Sequence, residues 1–403
     1  MRTTLDEVCV SIADGDHQAP PKSAYGIPFI TISCLDPNGG EPDFESAARV
    51  PLEYYESLAD NRRAKVGDVL LSVVGSLGIP YLVKQDDQFV FQRHIAILRP
   101  GQDLLPEYLY YLLKSPDSFH YIDSVAQGAA QRTLTLTQLR GMEVDIPSLD
   151  EQRRRVSALK PYDNLIENNR RQITLLEEAA QRLYREWFVD LHFPEYEDIE
   201  IVGGAPIGWR RTTMTGVCEA IGGGTPSTKN PSYWEGGSIP WVTPSDVTGN
   251  IGLYLPETEK MITNEGLAHS SAKMLPAMTI LMTSRASIGY FALCEKPVCT
   301  NQGFISCIPS IPHSLWWLLY ELRSRVDEMK SISKGSTFLE LSKTAFRAMP
   351  VVLPDQVTLS RFEKVAQALF SKTVLLRKQL DIAQEARDRL LPKLMSGEIE
   401  VEG

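Results

Sequence analysis

The sequence predicts an α+β protein with two tandem repeated α/β domains. We expect two long antiparallel coiled-coil helices to separate the domains, with a pseudo-twofold relating the halves. Three observations predict this fold class. The two halves of the chain match in order along their length, each opens with short β-like runs broken by Gly, Pro and Asn, and each ends in a long helical stretch.

The internal repeat is clearest where both halves keep one offset. At an offset of 207 residues, the matching pairs are Gly128/Gly335, Leu134/Leu341, Arg140/Arg347, Met142/Met349, Val144/Val351 and Pro147/Pro354. The segments Val69–Gly78 and Ile280–Gly289 also match, at a slightly different offset. Loop insertions produce such shifts. Because the repeat is too long for a solenoid unit, each half is interpreted as a domain with its connector.

The repeat predicts four segments: a first domain at 1–149, a spacer helix at 150–191, a second domain with its preceding linker at 192–354, and a second spacer helix with the C-terminal tail at 355–403. Strands are predicted at Ile27–Ile32, Val69–Val74, Tyr81–Val83 and Phe89–Leu98, and short helices at Pro106–Lys114 and His313–Arg325. These helices carry Tyr110-Tyr111 and Trp316-Trp317. Such aromatic pairs beside leucines are typical of a core more than of a base-stacking platform.

The long helices are predicted from a heptad stripe of residues alternately three and four apart. The seam comprises Leu159, Tyr162, Ile166, Asn169, Ile173, Leu176, Leu183 and Trp187 in the first helix and Leu369, Leu376, Leu380 and Leu390 in the second. Asn169 either fixes the helix register or lies at a solvated end of the seam. Pro161 is expected to start the first long helix and Pro392 to end the second.

The predicted helix length has a functional meaning. The stretch from Tyr162 to Trp187 spans about 39 Å at about 1.5 Å per residue. One turn of B-DNA is about 34–36 Å. Two domains held at the ends of such a helix pair would therefore face successive turns of a duplex.

The composition of the 403-residue chain is that of a globular protein, with 43% hydrophobic and 23% charged residues. No apolar run approaches the roughly 18 residues of a membrane span, and the N-terminus lacks secretory-signal features. The six cysteines form no metal-ligand spacing, and Cys9, Cys218 and Cys307 lie in apolar runs. Buried reduced thiols and a cytoplasmic location are expected. The net charge of −10 indicates that phosphate contacts with any DNA are shared with a partner, or that the chain binds something else.

A search for catalytic motifs favours a protein without chemistry of its own. The sequence has no GxxxxGK phosphate loop, no HExxH, no GxSxG and no Asp/Asn-Pro-Pro-aromatic tetrapeptide of the kind that holds an extruded base. The segment Gly222–Pro226 is glycine-rich but lacks GxGxxG spacing. The six histidines are scattered singly, so no metal site is predicted.

Several segments together carry a resemblance to a known family. These are Gly223–Ser227 (GGTPS), Tyr233-Trp234, Ile239–Asp246, Thr300–Gly303, Gly335–Thr337, Ala179–Leu191 and Leu390–Val401. The chain resembles the specificity (S, or HsdS) subunits of type I restriction–modification systems over essentially its whole length. The first half carries weaker versions, with Gly75-Ser76, Gln92-Arg93 and the loop variant Asp14–His17, and it has no GGTPS.

The resemblance implies that each half is a target recognition domain for one half of a bipartite double-stranded DNA target. Two copies of a methyltransferase (M) subunit would bring S-adenosylmethionine and flip an adenine. A restriction/translocase (R) subunit would bring ATP and Mg²⁺, so this chain would bind no cofactor itself. One turn between the domains and half-sites of about 3–4 base pairs predict an unread gap of roughly 6–7 base pairs.

Polar loop residues are the candidates for DNA contact, because Arg suits guanine and Asn or Gln suits adenine. In the first domain they are His17, Gln18, Lys22, Ser76, Arg93, Gln131 and Arg132. In the second they are Ser227, Lys229, Tyr233, Arg285, Ser287, Asn301, Gln302, Ser336, Thr337 and Lys343. The alternative for the Ser, Thr and Asn residues is that they cap turns.

Two other possibilities stay open at this point. The aromatic segment with Trp187, Phe188, Leu191 and Phe193 either contacts a partner subunit or packs against a recognition domain. The chain as a whole could instead be a stand-alone, non-catalytic DNA-binding regulator or adaptor, although its net acidity weighs against this. A self-contained nuclease or methyltransferase is disfavoured by the empty motif search.

Overall fold

A computed structural model describes residues 2–36, 40–128, 131–335 and 337–401. The chain forms two compact units. The first unit comprises Met1–Glu167 with Asp381–Gly403, and the second comprises Asn168–Leu380. Each long helix therefore contributes one part to each unit. The four predicted domain boundaries remain predictions.

The first unit contains nine short strands and five short helices among its described residues. The strands are β1 Arg2–Thr4, β2 Cys9–Asp14, β3 Ile27–Ile30, β4 Ala48–Val50, β5 Val69–Ser72, β6 Pro80–Leu82, β7 Val90–Phe91, β8 Ile95–Pro100 and β9 Glu143–Asp145. The helices are α1 Leu5–Val8, α2 Leu52–Ser57, α3 Pro106–Lys114, α4 Pro116–Val125 and α5 Leu136–Arg140. Helix α4 was not predicted from the sequence.

A four-stranded antiparallel sheet in the order β2-β8-β5-β6 is the centre of the first unit. All four residues of β5 are buried, which explains why its sequence is a continuous apolar run rather than an alternating one. A mixed sheet, β4-β3-β7, and a two-stranded ribbon, β1-β9, complete it. The single run predicted at Phe89–Leu98 was wrong, since a turn closed by the Ile95 N–H donating to the Gln92 carbonyl (2.9 Å) separates β7 from β8.

The second unit repeats this arrangement. Its strands are β10 Ile201–Val202, β11 Ala205–Pro206, β12 Arg210–Thr213, β13 Cys218–Gly222, β14 Ile239–Val242, β15 Lys260–Ile262, β16 Ile280–Thr283, β17 Phe291–Ala292, β18 Cys299–Thr300, β19 Phe304–Pro309 and β20 Pro350–Leu353. Its short helices are α7 Pro244–Thr248, α8 Asn264–Ala268, α9 Leu315–Ser324, α10 Val326–Ile332 and α11 Lys343–Ala348.

The sheets of the second unit follow the order of the first: β13-β19-β16-β17, β15-β14-β18 and β12-β20. A repeated side-chain contact accompanies them. The Arg140 guanidinium donates to the Ile12 carbonyl (2.6 Å), and its predicted counterpart Arg347 donates to the Ala220 carbonyl (2.8 Å). The prediction of two tandem α/β domains is confirmed.

The two long helices are α6, Leu149–Tyr184, and α12, Gln356–Ser396. Helix α6 continues into a π-helical turn at Arg185–Val189. The expectation that Pro161 begins the first helix and Pro392 ends the second was wrong, because both lie inside their helices. A proline removes the hydrogen bond to the carbonyl four residues earlier, and here those residues are exposed, so water can solvate the free carbonyls.

Contacts inside the first unit show that the helices run antiparallel there. The Arg155 guanidinium donates to the Met395 carbonyl (3.0 Å), and Arg387 contacts the Asp163 carboxylate (2.8 Å). The predicted seam residues are all buried or half-buried: Leu159, Tyr162, Ile166, Asn169, Ile173, Leu176, Leu183, Trp187, Leu369, Leu376, Leu380 and Leu390. Asn169 is only 2% exposed, so the alternative of a solvated seam end was wrong.

The aromatic pairs on α3 and α9 are buried in the cores, as the sequence suggested. Helix α9 begins at Leu315 rather than at the predicted His313, whose φ of +60° is not helical. All six cysteines are free, and five are buried, but Cys9 is only half-buried. Burial raises the pKa of the Cys294 thiol to about 12.

The aromatic segment after α6 packs inside the second unit. The Phe188 ring meets the Phe362 ring edge-on (5.0 Å between centroids), and the Phe193 ring lies 5.4 Å from the Trp209 ring. Phe193 is 2% exposed. These contacts favour the packing alternative for this segment. Within the described residues, no helix is both long enough and apolar enough to cross a membrane.

Candidate nucleic-acid interface

In the first unit, three loops meet at one end of the four-stranded sheet. The Gly75 N–H donates to the Arg132 carbonyl (2.9 Å), and the Val73 N–H donates to the His94 carbonyl (2.9 Å). The loop after β5, the turn between β7 and β8, and the segment before α5 are therefore adjacent. They bring together the predicted residues Ser76, Arg93, Gln131 and Arg132.

The second unit builds the same cluster with equivalent bonds. The Ala286 N–H donates to the Leu339 carbonyl (2.9 Å), and the Ser284 N–H donates to the Gly303 carbonyl (2.8 Å). Predicted residues that this cluster brings together are Arg285, Ser287, Asn301, Gln302 and Thr337. The predicted residue Ser336 lies outside the described residues.

A fourth loop joins each cluster at a glycine that cannot be replaced without backbone movement. A Cβ on Gly15 would lie 2.2 Å from the Phe91 carbonyl oxygen, and one on Gly223 would lie 2.2 Å from the Asn301 carbonyl oxygen. The loops Asp14–Gln18 and Gly222–Ser227 are thus equivalent in position. From the sequence, Asp14–His17 had been identified only as a variant loop of the first half.

The side chains of the fourth loop differ between the units. In the first unit, His17 is 3.1 Å from the Asp14 carboxylate, and the Gln18 backbone N–H donates to Asp16 (3.3 Å). That hydrogen bond is the main reason why the pKa of the Asp16 carboxyl lies below its usual value. Arg62 lies 3.7 Å from Asp14. The loop is therefore acidic and held by a cation that sequence analysis missed.

In the second unit the same place is neutral and a lysine lies over it. The Lys343 ammonium is 2.9 Å from the position that a Cβ on Gly222 would take. The Thr225 hydroxyl donates to the Gln302 amide oxygen (2.6 Å), and the Asn301 amide oxygen accepts from the Gly303 N–H (2.8 Å). Asn301 thus caps a turn with its oxygen, as the alternative assignment proposed.

The remaining predicted residues lie in the neighbouring segments. The Ser227 carbonyl accepts from the Trp234 indole (3.1 Å), Lys229 is exposed, and the Tyr233 ring stacks on the His269 ring at 5.8 Å. Lys22 is exposed beside Ser23, whose N–H pairs with the Arg49 carbonyl (2.9 Å). Among the described residues, Lys22 forms no hydrogen bond or ion pair with the loop cluster.

Two exposed apolar residues in the second cluster were missed. Phe338 and Leu339 are 60% and 44% exposed, in the segment that pairs with the loop after β16. At the repeat offset of 207 they are the counterparts of Gln131 and Arg132, so the alignment of the halves would have identified them. Among the described residues, no group of three or more His, Cys, Asp or Glu side chains is arranged to hold a metal ion.

The sequence pattern described as "Type I restriction modification DNA specificity domain" matches residues 4–178 and 206–371. The chain belongs to this family. The match covers both halves separately, which agrees with two structural copies of one domain. Members of the family are the DNA-specificity subunits of type I restriction–modification enzymes, so the chain is a recognition subunit and not a catalytic one.

Some similar proteins match most of the chain and others match less than half of it. The type I restriction enzyme HindI specificity subunit of Haemophilus influenzae is 24% identical over 402 residues, covering 83% of this chain and 87% of that protein. The MjaIX specificity subunit of Methanocaldococcus jannaschii is 36% identical over 163 residues, covering 40% of this chain and 37% of that protein. The crystal structure of a type I system S subunit from M. genitalium matches the fold with a TM-score of 0.56 at 18% identity, covering 98% of this chain and 95% of that one.

Proposed function

We propose that the two loop clusters are the two DNA-contacting surfaces of this specificity subunit, each recognising one half of a bipartite double-stranded target. The observation that carries this proposal is the duplicated cluster itself. Both units hold three of the loops by equivalent backbone hydrogen bonds and the fourth by an equivalent close glycine contact, yet the side chains on those loops differ. A constant backbone with varied polar side chains is what recognition of two different half-sites requires.

The candidate residues for base contact are those that the clusters expose. In the first unit they include Arg93, Gln131 and Ser76, and in the second Arg285, Gln302 and Lys343. Arg132 is a weaker candidate, because its guanidinium already contacts the Asp123 carboxylate. Arg285 is freer, since its Nε lies 4.0 Å from the nearest Glu340 oxygen and half of its side chain is exposed.

The net charge of −10 supports a shared grip on DNA. Phosphate contacts supply most of the affinity in sequence-independent binding, so an acidic chain depends on basic partners to enclose the duplex. We infer that two methyltransferase (M) subunits and a restriction (R) subunit provide these contacts. They also carry S-adenosylmethionine, ATP and Mg²⁺ in this proposal, and the complex acts in the cytoplasm.

The long helices would set the distance between the half-sites. Helix α6 has 36 residues, or about 54 Å at about 1.5 Å per residue, enough to separate two domains by one turn of DNA. Inserting one helical turn in both long helices should change the gap of roughly 6–7 base pairs by one or two pairs, with both half-sites unchanged. An unchanged gap would contradict this role for the helices.

The test is adenine-methylation mapping in cells that express this chain with its cognate methyltransferase. Arg93→Ala should relax recognition in one half-site and Arg285→Ala in the other, each with a loss of about 1–3 kcal/mol of discrimination. Lys296→Ala, an exposed cation in the turn between β17 and β18, serves as the control outside the loop cluster and should leave both half-sites unchanged. Relaxation of the same half-site by both arginine variants would refute the proposal.

A further inference from the structure

The hairpin that closes each loop cluster has the same pattern of backbone hydrogen bonds in both units. In the second unit, Lys334 and Glu340 exchange two backbone hydrogen bonds of 3.0 and 2.8 Å. In the first, Gln127 and Thr133 do the same, again at 3.0 and 2.8 Å. The two hairpins are therefore closed at their bases by equivalent residue pairs.

Each hairpin is also pinned to the sheet by equivalent bonds. The Leu341 N–H donates to the Ser284 carbonyl and the Leu134 N–H donates to the Val73 carbonyl, both at 2.8 Å. Leu341 and Leu134 are 2% and 1% exposed. The side chains that precede these buried leucines are consequently held at defined positions on the surface of the cluster.

The chemistry at the two tips is opposite. The first tip presents Gln131 and Arg132, which are polar, and the second presents Phe338 and Leu339 at the same places. Phe338 is 60% exposed. Leaving most of such a side chain in water forgoes the free energy of burying it. Nothing in the backbone geometry demands an apolar residue, since the first tip lacks one.

The surroundings of the second tip indicate what covers it. Arg285 pairs across the backbone with Glu340, Lys334 forms the base of the hairpin, and Lys343 begins the helix that follows. All three cations are exposed, and the one neighbouring anion that pairs with them among the described residues is Glu340, whose carboxylate lies 4.0 Å from Arg285. An apolar point among cations complements a duplex, whose phosphates are anionic on the outside and whose stacked bases are apolar within.

We propose that Phe338, supported by Leu339, is an apolar wedge that enters a base step in the half-site contacted by the second unit. Gln131 at the equivalent place in the first unit contacts a base edge by hydrogen bonds instead. The two units thus share one hairpin backbone, but one recognises its half-site by an apolar contact and the other by hydrogen bonds. This inference rests on the proposed function of the loop clusters.

The experiment uses the complex of this chain with its methyltransferase partner and a duplex containing the mapped target. 2-Aminopurine is placed at each position of the second half-site in turn. At the adenine that the methyltransferase flips, the fluorescence rise comes from flipping and should persist in every variant. Wild-type protein should also raise the fluorescence at one further step, because unstacking by the wedge relieves quenching. Phe338→Ala should abolish that rise and weaken specific binding by about five- to a hundredfold, the range of one lost base–aromatic stack.

Two variants control for the fold and for surface apolarity. Phe338→Leu keeps an apolar wedge and should retain most of the affinity and part of the fluorescence rise. Ile207→Ala removes a similarly exposed apolar side chain (57%) elsewhere in the second unit and should change neither. Because Phe338 is exposed, thermal melting of all three variants should match the wild type.

Several outcomes would overturn the wedge. If Phe338→Ala binds and fluoresces like wild type while Arg285→Ala loses the second half-site, the wedge is wrong and the proposed function stands. If uracil in place of one thymine reproduces the loss caused by Phe338→Ala, the residue contacts a thymine methyl group and does not enter the stack. If Phe338→Ala and Arg285→Ala both leave the half-site unchanged, the wedge and the proposed function fail together.

Discussion

The two units share a fold but differ sharply in charge. The first unit, Met1–Glu167 with Asp381–Gly403, has 19 Lys and Arg against 30 Asp and Glu, a net charge of −11. The second, Asn168–Leu380, has 22 against 21, a net charge of +1. The acidity of the chain thus belongs to one unit. Fold depends on the buried positions, which both units keep, and leaves the surface charge free to diverge.

The contacts between the short and long helices differ in the same way. In the first unit, the Lys160 ammonium lies 3.3 Å from the Glu107 carboxylate, and both side chains are at least one-third exposed. In the second, the ring of Trp316 lies 4.8 Å from that of Phe370, and its indole donates to Gln367 (3.2 Å). Gln367 and Lys160 are one repeat apart, so an exposed ion pair in one unit stands where the other unit has a buried aromatic contact.

The largest expected difference is at this junction. Trp316→Ala should destabilise the second unit by about 3–5 kcal/mol, because a fully buried aromatic leaves a cavity. Glu107→Ala should cost the first unit less than about 1 kcal/mol, because an exposed ion pair contributes little. Hydrogen–deuterium exchange resolved by peptide measures each unit separately. Equal losses in the two variants would contradict the comparison.

The buried ion pair of the first helix junction should give the next largest effect. Arg387 is 4% exposed and contacts Asp163, whose side chain is 21% exposed. Arg387→Ala should destabilise the first unit by about 2–3 kcal/mol, somewhat below the roughly 3–5 kcal/mol for fully buried pairs, because water still reaches Asp163. Urea denaturation followed by exchange of first-unit peptides measures this.

A matched control and a rescue accompany that variant. Arg389→Ala removes an arginine two residues away whose side chain is 79% exposed, and it should change stability by less than about 0.5 kcal/mol. Arg387→Met combined with Asp163→Asn should recover most of the loss, since no charge is then left buried alone. Ala180 holds the position one repeat earlier, in the second unit, without any charge. A full loss in the double variant would show that packing, not charge, is responsible.

A pH dependence should distinguish the second unit from the first. Burial raises the pKa of Glu177 above its usual value, although the Leu253 N–H (2.6 Å) and Arg323 (3.7 Å) favour the carboxylate. Because the folded state binds the proton more tightly than the unfolded state, the stability contributed by this group falls as pH rises above about 4.5. Position 384, one repeat later, is a glutamine and has no such titration.

Glu177→Gln should therefore remove this decline while keeping an oxygen that accepts from Leu253. The measurement is urea unfolding of wild type and variant between pH 4 and pH 8, and the difference between the two curves isolates this carboxyl. Glu178→Gln, the neighbouring exposed carboxyl, should leave the wild-type slope. If the unfolding free energy of Glu177→Gln depended on pH as steeply as that of the wild type, groups other than Glu177 would be responsible for the decline.

The smallest expected effect lies in the loop after the central strand. Ala286 has a φ of +60°, whereas its counterpart Gly75 has a φ of +75°. Left-handed backbone costs an alanine more than a glycine, so Ala286→Gly should stabilise the second unit by about 0.5–1 kcal/mol. Gly75→Ala should destabilise the first by a similar amount, since among the described residues only Gln131 lies within 4.0 Å of the added methyl. Melting temperatures that shift in the same direction in both variants would contradict this.

Much of the fold could be predicted because it depends on local periodicity. The apolar run Val69–Val74 contains the buried strand β5, and the heptad stripe marked the residues that α6 and α12 bury. Phe89–Leu98 was misjudged since its apolar residues continue on both sides of the turn that divides it. Periodicity detects burial, and burial alone does not show where a strand is interrupted.

The candidate site was predicted only in part. Ser76, Arg93 and Gln131 were named from their residue types, and hydrogen bonds between distant segments bring them together. Phe338 was not named because the candidates were chosen among polar loop residues, although the repeat pairs it with Gln131. Residue type indicated which side chains could contact DNA. Which of them lie together in the cluster became clear only from the hydrogen-bonded hairpin in the structure.

The sequence by itself determined the duplication, the order of the elements and the apolar positions that build both cores. Only the tertiary structure decided that Pro161 and Pro392 lie within helices and that equivalent hairpins close both loop clusters. It also decided that an exposed ion pair between a short and a long helix in one unit stands where the other unit has a buried aromatic contact. The physical reason is that side-chain patterns encode burial along the chain. Backbone hydrogen bonds between distant segments, available to almost any residue, fix which surfaces meet.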